Sequence, residues 1–244
     1  MLILLYIVHN AGKISEHSRT MGQAAARDRG QPPCGADNMG YRHDIFISYR
    51  RHPETLEWIK IHFLPLLTHR VGCEMPDPPQ IYVHEITHQI PAGTAWPVEL
   101  GEEIGASRIL IALWTGSYIN SIWCAQELFL MLAREQETGS RTPQNKYGLI
   151  VPVVVHDGEK IPQELGLAQR LDITTCFNTR MRRDGRKAEQ LSDKIAEHAR
   201  GIAGAIANAP QWQEHWPQQA AQQLVNTYHA LEPSQNSVPR FRGQ

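Results

Sequence analysis

The chain has 244 residues, of which 41% are hydrophobic and 20% are charged. This composition is typical of a folded globular protein and excludes a collagen, a coiled coil or a wholly disordered chain. Lys and Arg total 24 and Asp and Glu total 25, so a net charge of -1 provides no basic field for general nucleic-acid binding. We therefore expect no direct nucleic-acid readout.

The cysteine pattern and the N-terminal segment bear on the cellular compartment. The four cysteines are widely spaced and form no CxxC pair: Cys34, Cys73, Cys124 and Cys176. This favours reduced thiols in a cytoplasmic protein over a disulfide framework or a zinc ribbon. The apolar run Leu2–Val8 has seven residues, whereas a membrane-spanning helix needs about 20. We expect no membrane span, and we interpret residues 1–38 as a disordered leader.

The first predicted elements alternate between strand and helix. Residues 44–49 are a short β-branched and aromatic run that predicts a buried strand. Apolar residues at helical spacing over 56–67 predict a helix, with Pro65 kinking or shortening its last turn. Residues 81–83 follow a proline-rich turn and predict a second strand, and residues 97–106 predict a helix that begins with a proline.

The alternation continues through the middle of the chain. Residues 108–114 are almost entirely apolar, as expected of a strand covered on both faces of a parallel sheet. A helix is predicted from about residue 124 to 136. Residues 149–155 predict a fourth strand, in which Pro152 indicates a bulge or an edge.

The last elements complete the predicted fold class. A short fifth strand is expected near Cys176 and Phe177, and apolar residues over 191–206 mark one face of a further helix. Strands that alternate with helices predict a doubly wound parallel α/β sheet, whose ligands bind in the loops at the carboxyl ends of the strands. Residues 209–244 are rich in glutamine and predict a docked amphipathic helix followed by a frayed tail.

The sequence HEITH at 84–88 matches the HExxH pattern of zinc metalloproteases. That pattern binds zinc when a helix places both imidazoles on one face. Here a strand-like run precedes the motif, and Pro91 and Gly93 follow it. We therefore expect histidines at a strand end and no metal site, with a zinc metalloprotease as a distant alternative.

A second pattern, WxxxE at 123–127, opens the helix after the third strand. At a spacing of four residues, the Trp123 indole and the Glu127 carboxylate share one helix face. This face lies at the carboxyl end of a central strand, where the fold predicts a ligand. Taken alone, the pattern is weak evidence for catalysis, because a tryptophan at a helix start usually packs against the core and a glutamate in the first turn usually interacts with the helix dipole.

Residues 44–206 resemble a TIR (Toll/interleukin-1 receptor) domain. Four blocks carry the resemblance in order: DIFISYRR, a loop ending AGTAWP before a helix, SRILIALWTGSYINSIWCAQEL, and LIVPVVVHDGEKIP. The resemblance implies a flavodoxin-like, doubly wound, parallel five-stranded sheet, with the TIR domain over 39–208. FISYRR together with WxxxE resembles the NAD-cleaving branch of bacterial and animal TIR enzymes. The chain departs from the family at Glu85, where an aspartate is frequent.

The resemblance implies cleavage of the nicotinamide–ribose bond of NAD+, by hydrolysis or cyclisation, with NAD+ as substrate and no cofactor. Nicotinamide leaves as a neutral molecule, so one carboxylate can suffice where ordinary glycosidases need two. Glu127 would stabilise the oxocarbenium-like charge and should be ionised. The implied substrate-binding residues are Ser48, Tyr49, Arg50, Arg51, Trp96, Ser117 and Trp123.

The resemblance also implies self-association. The loop from Glu85 to Trp96 carries Ile90, Pro91 and Gly93, which would contact a neighbouring subunit, and a head-to-tail contact that does not close can grow into a filament. The implied partners are NAD+, further copies of the chain, and an activating protein or small signal. The implied setting is bacterial antiphage immunity. A non-catalytic TIR adaptor that assembles with other TIR domains is the alternative function.

Overall fold

Five parallel strands form the centre of the fold, which the computed structural model describes over residues 40–86, 95–157 and 169–231. The strands pair in the order β2-β1-β3-β4-β5, and every neighbouring pair is parallel. This confirms the predicted doubly wound parallel sheet. The strands are β1 His43–Tyr49, β2 Ile81–Val83, β3 Ser107–Trp114, β4 Ile150–Val154 and β5 Leu171–Asp172.

Helices cover both faces of this sheet. The first, α1, is continuous through an α-helical segment Pro53–Trp58, a π-helical segment Ile59–Phe63 and an α-helical segment Leu64–Gly72. In the described residues, α1 and α5 pack on one face, and α2, α4 and α6 pack on the other. The remaining helices are α2 Trp96–Gly105, α3 Gly116–Ile119, α4 Ile122–Thr138, α5 Arg186–Ala207 and α6 His215–Leu231.

The alternation of side chains along β1 divides the core. Ile45, Ile47 and Tyr49 belong to the cluster beneath α1 and α5, whereas Phe46 belongs to the cluster beneath α2 and α4. Ser48 has the same parity as Phe46, so it faces α4. The sheet thereby directs a polar side chain, at the end of a central strand, toward one particular helix.

Pro152 lies inside β4 without interrupting the sheet. The sequence predicts a bulge or an edge at this proline. β4 pairs with β3 in continuous register from Ile150 to Val154, so the predicted bulge is wrong. The backbone N–H of Val155 donates to the Trp114 carbonyl, so the backbone N–H and C=O groups of the odd-numbered residues here point toward β3. The backbone nitrogen of Pro152 therefore points away from β3. On that side β5 pairs with β4 only from Val153 onward, so the missing N–H of the proline lies at a local edge.

The predicted shortening of α1 at Pro65 is wrong, because the helix continues past it to Gly72. The π-helical segment that ends at Phe63 changes the hydrogen-bonding pattern immediately before the proline. Pro65 consequently stands in the first turn of the segment Leu64–Gly72, where a backbone N–H needs no helical acceptor.

The fifth strand lies earlier than predicted. It comprises Leu171 and Asp172. Cys176 lies in the turn that follows, and its backbone N–H donates to the Ile173 carbonyl. The Asp172 carboxylate accepts hydrogen bonds from the backbone N–H and the hydroxyl of Thr174, at 2.9 and 2.6 Å. This local bonding ends the strand after two residues.

The C-terminal helix α6 packs closely on α2. A Cβ atom on Gly101 would lie 2.3 Å from the Cα atom of Ala221, and one on Gly105 would lie 2.4 Å from the Cα atom of Pro217. Glycine at both positions lets the two backbones approach to this distance. The helix predicted within 209–244 is therefore docked on the domain.

Other predicted features lie outside the described residues. These are the leader 1–38, His88, the loop residues Ile90, Pro91 and Gly93, and the tail beyond Leu231. Within the described ranges, no helix combines the length and the apolar character needed to cross a membrane.

Gly101→Ala should lower the free energy of unfolding by about 1–3 kcal/mol, because the added methyl group collides with the α6 backbone. Gly201→Ala is the matched control, since that glycine lies in α5 with no neighbouring atom within 4 Å of its added Cβ. The control should raise stability by about 0.5–1 kcal/mol through helix propensity. Urea unfolding of both variants measures the two changes, and equal effects would contradict the close packing of α6.

Candidate functional site

Glu127 joins the end of β1 to the beginning of α4. α4 starts after Ser121, whose hydroxyl accepts a hydrogen bond from the Cys124 backbone N–H and caps the helix. Glu127 follows in the second turn and is only 8% exposed. Its carboxylate accepts a hydrogen bond from the Ser48 hydroxyl at the carboxyl end of β1. A buried acid therefore lies at the edge of the sheet where the fold predicts a ligand.

Tyr118 extends this contact. Its hydroxyl lies 2.8 Å from the Ser48 Oγ atom, and both side chains are buried. The sequence analysis selected the neighbouring Ser117 and missed Tyr118. The one-turn helix α3 leaves Ser117 exposed and turns Tyr118 into the core, and a single tyrosine in a short polar segment gives no spacing signal of its own.

The surroundings of Glu127 determine its charge. Burial raises the pKa of the Glu127 carboxyl to about 7, although the hydrogen bond from Ser48 and the positive charge of Arg51 act in the opposite direction. Glu127 therefore keeps a proton to a higher pH than an ordinary glutamate does. The ionised state that the sequence analysis expected is the main form only above about pH 7.

An aromatic wall stands beside the start of α4. The Trp96 and Trp123 rings meet edge to face with their centroids 4.5 Å apart. The Arg51 guanidinium lies 5.6 Å from the centroid of the Trp96 ring, and the Tyr228 ring of α6 lies 6.2 Å away on an edge-to-face approach. Trp96 thus contacts two other predicted site residues, Arg51 and Trp123.

A cavity of about 410 Å³ opens at the carboxyl ends of β1, β3 and β4. This volume lies within the range of small-molecule sites. Of the predicted site residues, Tyr49, Arg50, Arg51 and Ser117 line it. The predicted residues Ser48, Trp96, Trp123 and Glu127 do not line it. Ser48 faces α4, on the opposite side of the sheet from Tyr49, so the Glu127 carboxylate lies at the same strand ends as the cavity but outside its wall.

The cavity wall also contains polar residues that the sequence analysis did not select. His52 and Thr55 follow β1, His156 follows β4, and Thr179 follows β5. Their common signal is position, because each lies a few residues after a parallel strand. Arg50 adds a contact of its own, since its Nη1 atom lies 3.4 Å from the Ser121 Oγ atom at the start of α4.

The first residues of the HEITH motif are not helical. His84 ends β2 in a bridge, and Glu85 has a φ of 72°, which lies outside the helical region. Burial, together with the positive charge of Arg51, lowers the pKa of the His84 imidazole to about 4. Among the described residues, no three His, Cys, Asp or Glu side chains cluster as metal ligands would, and His88 lies outside these residues.

The chain is similar to known proteins at two levels, a protein family and solved structures. A family model described as "TIR domain" matches residues 45–192. Among curated proteins, none matches this chain significantly. Fifteen chains from solved structures match. One of them, described as the activated Roq1 resistosome directly recognizing the pathogen effector XopQ (TIR domains), has 18% sequence identity and a TM-score of 0.32, over 76% of this chain and 99% of that one.

Glu127→Gln should change the pH dependence of stability. In the folded state the pKa of Glu127 is about 7, whereas its ordinary value is 4.5. Between pH 4.5 and 7, Glu127 is therefore protonated in the folded state and ionised in the unfolded state. Wild-type stability should therefore fall, by up to about 3 kcal/mol, as pH rises from 5 to 8, relative to the variant. Denaturant unfolding at several pH values measures the difference, and parallel curves would contradict the buried carboxyl.

Proposed function

The chain belongs to the TIR domain family, and we propose that it cleaves the nicotinamide–ribose bond of NAD+ with Glu127 as the catalytic carboxylate. The observation that carries the proposal is the position of this acid. It is buried at the carboxyl end of a parallel sheet, the edge at which a cavity of about 410 Å³ also opens. A domain that serves only as a scaffold has no need of a carboxylate there.

One carboxylate is sufficient for the proposed chemistry. The bond between the ribose C1′ atom and the pyridinium nitrogen breaks, and its electron pair neutralises the nitrogen, so nicotinamide departs without a proton from a general acid. The remaining ribosyl group carries oxocarbenium character, which an ionised Glu127 stabilises more strongly in the transition state than in the ground state. The site also excludes water around Glu127, which strengthens this interaction.

The remaining residues suit the other parts of NAD+. Arg50 and Arg51 line the cavity and present guanidinium groups that bind phosphate oxygens in pairs. The Trp96 and Trp123 rings provide an apolar surface for the nicotinamide ribose. With substrate bound, the positive nicotinamide ring lies near Glu127 and favours its ionised form.

The fate of the ribosyl group and the biological setting are further parts of the proposal. Water would capture the C1′ atom to give ADP-ribose, and a nucleophile of the same molecule would give a cyclic product. Both routes begin with the same bond cleavage. The similarity of FISYRR and WxxxE to NAD-cleaving TIR enzymes supports a role as an effector of bacterial antiphage immunity.

Glu127→Gln should abolish release of nicotinamide from NAD+, because the amide keeps the shape of the side chain and loses its charge. Glu137→Gln is the matched control, since it makes the same change on the same helix at an exposed position, and it should leave turnover unchanged. Chromatography of the products measures both and separates linear from cyclic ADP-ribose. A folded Glu127→Gln variant with wild-type turnover would contradict the catalytic role and favour the adaptor function.

Specific activity should rise steeply with protein concentration or with an activating partner, because we propose that copies of the chain complete the site by self-association. Gly93→Pro should suppress this rise, since proline fixes φ and removes a backbone N–H, whereas Gly93→Ala should reduce it less. Activity and light scattering are measured together in the presence of NAD+. Constant specific activity from a monomer at every concentration would exclude the assembly.

A further inference from the structure

Tyr118 is joined to Glu127 through a single oxygen atom. The Ser48 Oγ atom contacts the Glu127 carboxylate on one side and lies 2.8 Å from the Tyr118 hydroxyl on the other. Ser48 and Tyr118 are each 1% exposed, and Glu127 is 8% exposed, so no bulk water competes for these bonds. The three side chains come from β1, α3 and α4 and form one short chain of hydrogen bonds.

The number of protons available determines which group donates in each of these hydrogen bonds. An ionised carboxylate only accepts hydrogen bonds, so the single Ser48 proton must point toward Glu127. The Ser48 oxygen can then only accept from Tyr118, whose hydroxyl donates. When Glu127 is protonated, the acid can donate to Ser48 and every bond can reverse. Only the ionised form of Glu127 therefore fixes a single direction, from Tyr118 through Ser48 to the carboxylate.

We propose that Tyr118 is a positioning residue, which holds the Ser48 hydroxyl in the orientation that stabilises ionised Glu127. This inference rests on the proposed function only insofar as NAD+ cleavage uses the ionised acid. The hydrogen-bond chain itself is a property of the fold. Tyr118 does not touch the substrate and acts through Ser48.

Several contacts keep Tyr118 in place and protonated. The Thr115 hydroxyl accepts its backbone N–H at 3.0 Å and caps α3, and the Trp114 ring stacks beside its ring with centroids 6.0 Å apart. Burial raises the pKa of the Tyr118 hydroxyl well above its ordinary range, so it stays a donor at neutral pH. The other groups whose charges act on Glu127 or feel its charge are Arg51, Tyr49, Tyr82 and Cys124.

Tyr118→Phe tests the proposal by removing the terminal donor while keeping the ring. With Glu127 observed by carbon NMR in the full chain, its titration midpoint should move up by about half to one pH unit. Tyr82→Phe is the matched control, because Tyr82 is equally buried in the same core cluster and its hydroxyl has no contact with Ser48. The control should leave the midpoint within about 0.2 unit of wild type.

The double variant shows whether the effect passes through Ser48. In a Ser48→Ala background, Tyr118→Phe should cause no further shift, because the connecting oxygen is already absent. An unmoved midpoint in Tyr118→Phe, an equal shift in Tyr82→Phe, or additive shifts in the double variant would each overturn the proposal.

The NAD+ assay is a separate arm. Tyr118→Phe should lower kcat/KM several-fold at pH 6.5, and the acidic limb of its kcat/KM profile should move by the same amount as the NMR midpoint, because both report the free protein. If the midpoint moves but wild-type protein releases no nicotinamide, the proposed function fails and the role of Tyr118 stands. If nicotinamide is released but the midpoint does not move, the proposed function stands and the role of Tyr118 fails.

Discussion

The alternation of side chains along β1 is the constraint on which the site depends. Because successive residues of a strand point to opposite faces, Ser48 faces α4 while Tyr49 faces the cluster beneath α1 and α5. A shift of one residue in the pairing of β1 with β3 would exchange these two side chains. The buried apolar neighbours of β1 prevent such a shift, so the same packing that stabilises the core fixes the contact between Ser48 and Glu127.

Among the residues that the structure describes, no cation is in direct contact with the buried acid Glu127. Arg51 is close enough to lower the pKa of Glu127, but its guanidinium lies 3.7 Å from Glu85 and over the Trp96 ring. A direct ion pair would hold the carboxylate permanently ionised and would neutralise it toward a ligand. With the Ser48 hydroxyl donating to it, Glu127 has a pKa of about 7, and the ionised form would keep its charge available for the proposed cationic substrate.

The sequence predicts most of the sheet and part of the site, for identifiable reasons. The apolar runs of β1, β3 and β4 are long enough to identify buried strands, whereas β5 has two residues, of which Asp172 is exposed, and gives no such run. The resemblance to TIR domains assigns a role to Glu127, and the helical spacing of WxxxE alone is only weak evidence for it. Tyr118 was not found, because its partner Ser48 lies 70 positions away in the chain and only the folded sheet brings them together.

The aromatic wall beside Glu127 depends on a segment beyond the part that matches the family model. α6 comes after residues 45–192, yet its Tyr228 ring packs against Trp96, and its Gln223 Nε2 atom donates to Gln126 Oε1 at 3.2 Å. The close approach at Gly101 and Gly105 gives α6 little freedom to shift along α2. Since Trp96 begins α2 and contacts Trp123, the orientation of both rings follows from the docking of this helix. The C-terminal extension is thus a structural part of the site.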